Sequence, residues 1–150
     1  MSKPTPLAVT VSRAIDATPE RLYDLVSDVT NMGSFSPETR SCEWIVRGAK
    51  FKGVNKIGKL RWATKPSVTV AERGRTFAFE VPGKSGPEWT YRFEPAGSGT
   101  LVTESMRQAA PSPAIVRFLR RRAGVVDRAE HLRAGMQTTL DRLAAAAGSH

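Results

Sequence analysis

Glu104 is the residue in this chain best placed to do chemistry. It lies in an alternating run, Thr100 to Gln108, that reads as a strand. Val102, Glu104 and Met106 share one face, and Leu101, Thr103 and Ser105 share the other. Val102 and Met106 suit an apolar wall, so the first set is expected to face inward; a one-residue slip in register would reverse this. A carboxyl on an apolar wall loses its hydration, holds its proton more tightly and can serve as acid or base. The competing reading is a solvated carboxylate or one paired with a nearby Arg or Lys. Asn55 and Tyr91 could donate hydrogen bonds to a ligand carbonyl, or be taken up by local backbone. Arg13 and Arg92 could pair with Glu104 or with a ligand acid, or lie on the surface. His131 is the one histidine inside an element. It adjoins Leu132 on a helix flank. With no second internal histidine and with Cys42 as the single cysteine, no metal cluster is expected. No phosphate loop, dinucleotide fingerprint or nucleophile elbow occurs, so no cofactor is expected either. Cys42 excludes an intrachain disulfide, shares strand parity with Trp44 and reads as buried and inert.

These residues need elements to hold them. The organising stretch is Pro113 to Ala147. Ala129, Leu132, Met136, Leu140 and Leu143 recur at three- and four-residue steps and form one apolar stripe. Asp127 with Glu130 resembles a capping box. A single helix over this whole stretch would be ~51 Å long. A compact chain of this length is only about 38 Å across. A break is therefore expected near Gly124, with a short helix Ala114 to Ala123 before a long one, Arg128 to Ala146.

Earlier in the chain, Val9, Val11, Arg13 and Ile15 share a face of a first strand, Leu7 to Ile15. Thr18-Pro19 opens a short helix as N-cap and N1, and Val29 to Phe35 reads as a second. Strands follow at Arg40 to Val46, Lys50 to Ile57, Lys59 to Ala71 (interrupted by Pro66), Thr76 to Val81, Glu88 to Phe93 and Thr100 to Gln108. No strand–helix–strand alternation appears, so the class is α+β with a seven-stranded antiparallel sheet.

At 40% hydrophobic and 7% aromatic content, the 150 residues fit one domain with a real core. Residues 1–6 and 147–150 are read as tails. The net charge is +9 and the pI about 10.4. Part of the excess is local, since seven arginines and three acids follow Pro111. The run Arg117, Arg120, Arg121, Arg122 is interleaved with Ile115, Val116, Phe118 and Leu119. It reads as a solvated helix face, a weak contact with an anionic membrane or a guard at a pocket mouth. Nucleic acid is disfavoured, because no recognition module accompanies the charge. No apolar run is long enough to span a bilayer and no signal-peptide pattern appears, so a cytoplasmic location is expected.

Several strings resemble one family: Ala17-Thr18-Pro19-Glu20-Arg21-Leu22-Tyr23-Asp24-Leu25-Val26, Met32-Gly33-Ser34-Phe35-Ser36-Pro37, Trp89-Thr90-Tyr91-Arg92-Phe93-Glu94-Pro95 and Gly135-Met136-Gln137-Thr138-Thr139-Leu140. With the order of elements, they resemble the START-related, birch-pollen-allergen-like superfamily in its bacterial polyketide cyclase/dehydrase branch. The resemblance covers nearly the whole chain. It implies a helix-grip fold, in which a curved sheet wraps the last helix and leaves a hydrophobic cavity of roughly 300–1,000 Å³. Strand and helix parity then nominate its walls: Val26, Met32, Phe35, Trp44, Phe51, Asn55, Trp62, Phe77, Phe79, Trp89, Tyr91, Val102, Glu104, Met106, Leu132 and Met136. The mouth is expected near Ala114 to Ala123 and the Pro82–Pro87 loop. Three readings of function stay open: a binder of a hydrophobic small molecule, an aromatase/cyclase or dehydratase using Glu104, Asn55 and Tyr91, and a membrane or protein-interaction module acting through Arg117–Arg122. Ligand identity and oligomeric state are left open.

Overall fold

The computed structural model describes residues 7–83, 85–110, 112–125 and 127–148. The tail read at 1–6, Lys84 of the Pro82–Pro87 loop, and residues 149 and 150 of the second tail lie outside them. Eight strands form one antiparallel sheet: β1 (Leu7–Ile15), β2 (Thr39–Val46), β3 (Lys50–Ile57), β4 (Leu60–Thr64), β5 (Ser67–Glu72), β6 (Thr76–Glu80), β7 (Glu88–Ala96) and β8 (Gly99–Gln108). Seven run in the order β1-β8-β7-β6-β5-β3-β2, while β4 pairs only with β3. Helices α1 (Pro19–Ser27) and α2 (Met32–Phe35) lie between β1 and β2, and α3 (Ala114–Arg122) and α4 (Arg128–Gly148) end the chain.

Beyond shifts of a residue, three boundaries differ from expectation, the first being β7, which runs on to Ala96 rather than ending at Phe93. The expected strand Lys59 to Ala71 keeps one register along β3, with Thr64 opposite Gly53 and Ser67 opposite Lys50, but is split into two by Pro66, which has no N–H to give the ladder. Its carbonyl instead accepts from the Phe51 amide at 3.1 Å. The C-terminal tail is shorter than read. Helix α4 continues to Gly148, with Ala147 buried and its carbonyl accepting from Arg21 Nε at 3.2 Å.

The caps act where the sequence places them. Thr18 Oγ1 accepts from the Arg21 amide at 3.2 Å, and Asp127 Oδ1 accepts from the Glu130 amide at 3.2 Å. Each satisfies a helix-end donor that has no partner inside the helix. Between α3 and α4, Gly124 takes φ +100°, a region closed to most side chains, and breaks the helix there. Leu132, Met136, Leu140 and Leu143 of α4 are buried. Leu140 and Leu143 are fully so, each stabilising the fold by roughly 1.5–3 kcal/mol relative to exposure. Val9, Val11 and Ile15 of β1 are buried, whereas Arg13 on the same face reaches out to Asp141 of α4 at 2.5 Å. Among the described residues, no helix is long and apolar enough to cross a membrane.

Candidate functional site

The groove between sheet and α4 is not filled along its length. Tyr23 of α1 packs edge-on against Phe77 and Phe93, with centroids 6.2 and 5.9 Å away, and closes one part. Elsewhere a cavity of about 300 Å³ remains. Its sheet side is Phe51, Gly53 and Asn55 of β3, Trp62 and Thr64 of β4, Phe79 of β6, Trp89 and Tyr91 of β7 and Glu104 of β8. Leu132, Gly135, Met136 and Thr139 of α4 face them. Met32, Pro37, Glu38 and Thr39 form one flank. Pro113, Val116 and Arg120 around α3 close the rim, with Val81, Pro82 and Ser85 to Pro87 of the 81–87 segment.

Ten of the nominated wall residues therefore line the cavity: Met32, Phe51, Asn55, Trp62, Phe79, Trp89, Tyr91, Glu104, Leu132 and Met136. Six do not. Val26, Phe35, Phe77, Val102 and Met106 are buried in the solid core, and Trp44 is half-buried beside Phe51 at 5.9 Å. Strand parity gives the inward face correctly for Phe77, Val102 and Met106. It carries no information about where along that face the helices stop filling space.

Glu104 is 2% exposed. It sits directly opposite Tyr91 across the β7–β8 ladder, and the Tyr91 hydroxyl donates to Glu104 Oε2 at 3.0 Å. Glu104 Oε1 is buried with no hydrogen-bonding partner among the described protein atoms. Burial pushes the carboxyl up from its ordinary 4.5 to about 8, with the Tyr91 bond pulling the other way. At neutral pH Glu104 is therefore protonated. Because Oε2 already accepts from Tyr91, the proton belongs on Oε1, making Glu104 a neutral acid in the cavity wall. Burial and the adjacent Glu104 raise Tyr91 well above its ordinary value, so the phenol stays protonated too. Neither arginine nominated as a partner reaches this pair. Arg13 bonds Asp141, and Arg92, one residue from Tyr91, falls on the opposite, exposed face of β7. Asn55 Oδ1 accepts from Thr39 Oγ1 at 3.2 Å, which orients the amide at the cavity edge. Cys42 also lines the cavity, its thiol pushed up to about 11 by burial and so inert as a nucleophile.

A polar cluster at the rim was not legible beforehand. Arg120 Nη1 donates to Ser112 Oγ at 2.7 Å, and Arg128 donates to Gln108 Oε1. Gln108 Nε2 donates in turn to the Ser85 carbonyl at 2.6 Å and to Ser112 Oγ at 3.3 Å. Burial lowers Arg120, and lowers Arg128 to about 10 with Arg120 pushing the same way; Glu38 opposes both shifts. His131 Nε2 meets Glu38 Oε1 at 2.5 Å, on the cavity edge rather than on a free helix flank. One signal for Arg120 does exist in the sequence: it follows Val116 by four residues, so the two share a helix face.

Residues 6–148 match the family model described as polyketide cyclase/dehydrase and lipid transport. A polyketide-cyclase-like protein of Corynebacterium glutamicum, solved in solution, is 32% identical over 95% of this chain and 90% of its own, with a TM-score of 0.56. A START superfamily protein of Mycobacterium smegmatis is 15% identical over 93% and 96%, with a TM-score of 0.70. The di-domain ARO/CYC BexL of the BE-7585A biosynthetic pathway is 15% identical over 97% of this chain and 51% of its own, with a TM-score of 0.73. The last two likenesses are of fold alone. No curated protein sequence matches the chain.

Proposed function

The chain belongs to the polyketide cyclase/dehydrase and lipid transport family, and from that premise we propose that it acts as a single domain that takes up a hydrophobic small molecule, lipid- or polyketide-like, between sheet and α4. The observation that carries this reading is the cavity of about 300 Å³ walled by Phe51, Trp62, Phe79, Trp89, Leu132 and Met136. Apolar walls supply affinity, and Glu104 with Asn55 sets the orientation of a ligand carbonyl or hydroxyl. Native mass spectrometry of the chain purified from its own host is expected to show a retained, organic-extractable molecule at one per chain. A protein that comes through free of ligand and takes up no polyketide or lipid offered to it would count against the reading.

A second reading is favoured by Glu104. A neutral acid in the cavity wall can hydrogen-bond a ketone oxygen and acidify the neighbouring C–H, whose proton passes to a water in the cavity, the first demand of an aldol-type ring closure. For dehydration, the same proton would go to a hydroxyl departing as water, and the Glu104 carboxylate so formed would take the neighbouring carbon-bound proton, which restores the acid. The ARO/CYC neighbour makes a polyketide the natural substrate to try. Turnover of such a substrate that disappears in Glu104→Gln, with binding kept, separates enzyme from carrier.

A third reading is favoured by α3, none of whose residues is buried. Ile115, Phe118 and Leu119 are 63%, 55% and 41% exposed, and Arg117, Arg121 and Arg122 are exposed around them. The Arg122 guanidinium lies 6.0 Å from the Phe118 ring centroid. Charge complementarity commits this face to an anionic membrane surface. Sedimentation with phosphatidylglycerol/phosphatidylcholine vesicles is expected to weaken as salt rises. Arg121→Glu/Arg122→Glu should lower it by about tenfold or more, at ~1 kcal/mol per basic residue. Unchanged sedimentation in that variant would remove the membrane role. Arg120 is left out of the variant because it lines the cavity.

A further inference from the structure

Two guanidiniums converge on the cavity rim from different helices. Arg120 sits on α3 and Arg128 at the start of α4, and both are half-buried. Among the described residues, neither has a carboxylate within 4.0 Å. Their partners are the neutral Ser112 and Gln108, themselves buried and tied to each other and to the Ser85 carbonyl. Glu38 is the one acid whose field reaches both, and its Oε1 is engaged by His131. Two like charges brought together and partly desolvated without an ion-pair partner is a costly arrangement in the unliganded fold. Each guanidinium has five N–H donors and gives one to this network. Arg117, Arg121 and Arg122, by contrast, are exposed.

The rim also stands at a defined distance from the acid. Gln108, which holds Arg128, is four residues along β8 from Glu104 on the same face. That is about 13 Å at the rise of a strand. Met106, packed in the core, lies between them, and its β7 partner Trp89 supplies the apolar cavity wall over this interval.

Resting on the cavity reading above, we propose that Arg120 and Arg128 form an anion-binding subsite, so that the preferred ligand is amphipathic, with a carboxylate or phosphate end held at the rim and its apolar body running toward Glu104. Arginine suits either oxyanion, since its planar fork matches both geometries.

The test is isothermal titration of the full chain with dodecanoate, dodecyl phosphate and dodecanol, which share an alkyl body and differ at the end group. At least one anion should bind about tenfold or more tightly than dodecanol, the effect of one or two charge-assisted hydrogen bonds. The tighter of the two anions identifies the source of the charge. Arg120→Gln/Arg128→Gln should erase the advantage, so that within the variant the anions bind no more tightly than dodecanol, while Arg128→Lys keeps part of it. Should the double variant fail to fold, Arg120→Gln alone carries the test and should lose severalfold for the anion only. Equal affinities for all three probes, or a preference surviving in the folded variant, overturns the subsite while leaving the cavity reading standing. If none of the probes binds the wild-type chain, the cavity reading itself falls and takes the subsite with it.

Discussion

Replacing Glu104 with Gln is expected to raise stability at pH 8 by a few kcal/mol and to flatten its dependence on pH between about 4.5 and 8. The sign follows from proton binding. Below 4.5 both folded and unfolded chains hold the proton on Glu104, and its contribution to stability is fully present. As pH rises from 4.5, the unfolded chain releases that proton while the folded chain keeps it, so stability falls steadily. The fall ends near pH 8, where the folded carboxyl ionises as well and the fold holds a buried anion. Glutamine preserves an acceptor for the Tyr91 hydroxyl and cannot ionise. Urea unfolding midpoints at several pH values, wild type against variant, measure the difference directly. Curves that stay parallel across this window would mean that Glu104 is ionised in the fold, and the acid role would go with it.

The next largest effect is expected from Gly53→Leu. Gly53 lies on the inward face of β3 with Phe51 and Asn55. A Cβ built there meets Cys42 Sγ and Thr64 Oγ1 at 3.6 Å each, ordinary contact distances, so the backbone has room for a side chain. The rest of a leucine then projects into the cavity. Affinity for any cavity ligand should fall at least tenfold. Stability should hold or rise, since a strand glycine costs roughly 0.5–1 kcal/mol relative to alanine and the new side chain is buried. Lys52→Leu on the exposed face of the same strand is the control, and should leave affinity unchanged. Ligand binding by Gly53→Leu at wild-type strength would place the ligand elsewhere.

The parts legible in the sequence are those fixed by local chemistry. Thr18-Pro19, the Asp127 cap and Gly124 state their own geometry, and the alternation of Val102, Glu104 and Met106 gives the inward face of β8. What stayed hidden depends on contacts distant in sequence. Phe77 and Val102 face inward as expected but belong to packed core, because Tyr23 of α1 occupies the space in front of Phe77. The Glu38–His131 pair joins residues 93 positions apart, and no periodicity announces it. Arg120 reads as one of four similar arginines until the turn at Gly124 brings Arg128 near it. Pro66 does announce a break. That the two strands on either side keep one line depends on β3, which pairs with β4 from Gly53 to Ile57 and with β5 at Lys50 and Ser67 in the same register.

Methionine methyl groups offer the most direct test of the central claim, that the groove between sheet and α4 admits a ligand. Of the four methionines, Met32 and Met136 line the cavity and Met106 lies in the packed core. With 13C-methyl labelling and dodecanol as the titrant, the Met32 and Met136 signals should shift together and saturate, while Met106 moves far less. Cavity methyls that stay in place while the backbone amide signals of Ile115, Phe118 and Leu119 respond would show adsorption on the outer face of α3, and would contradict the account.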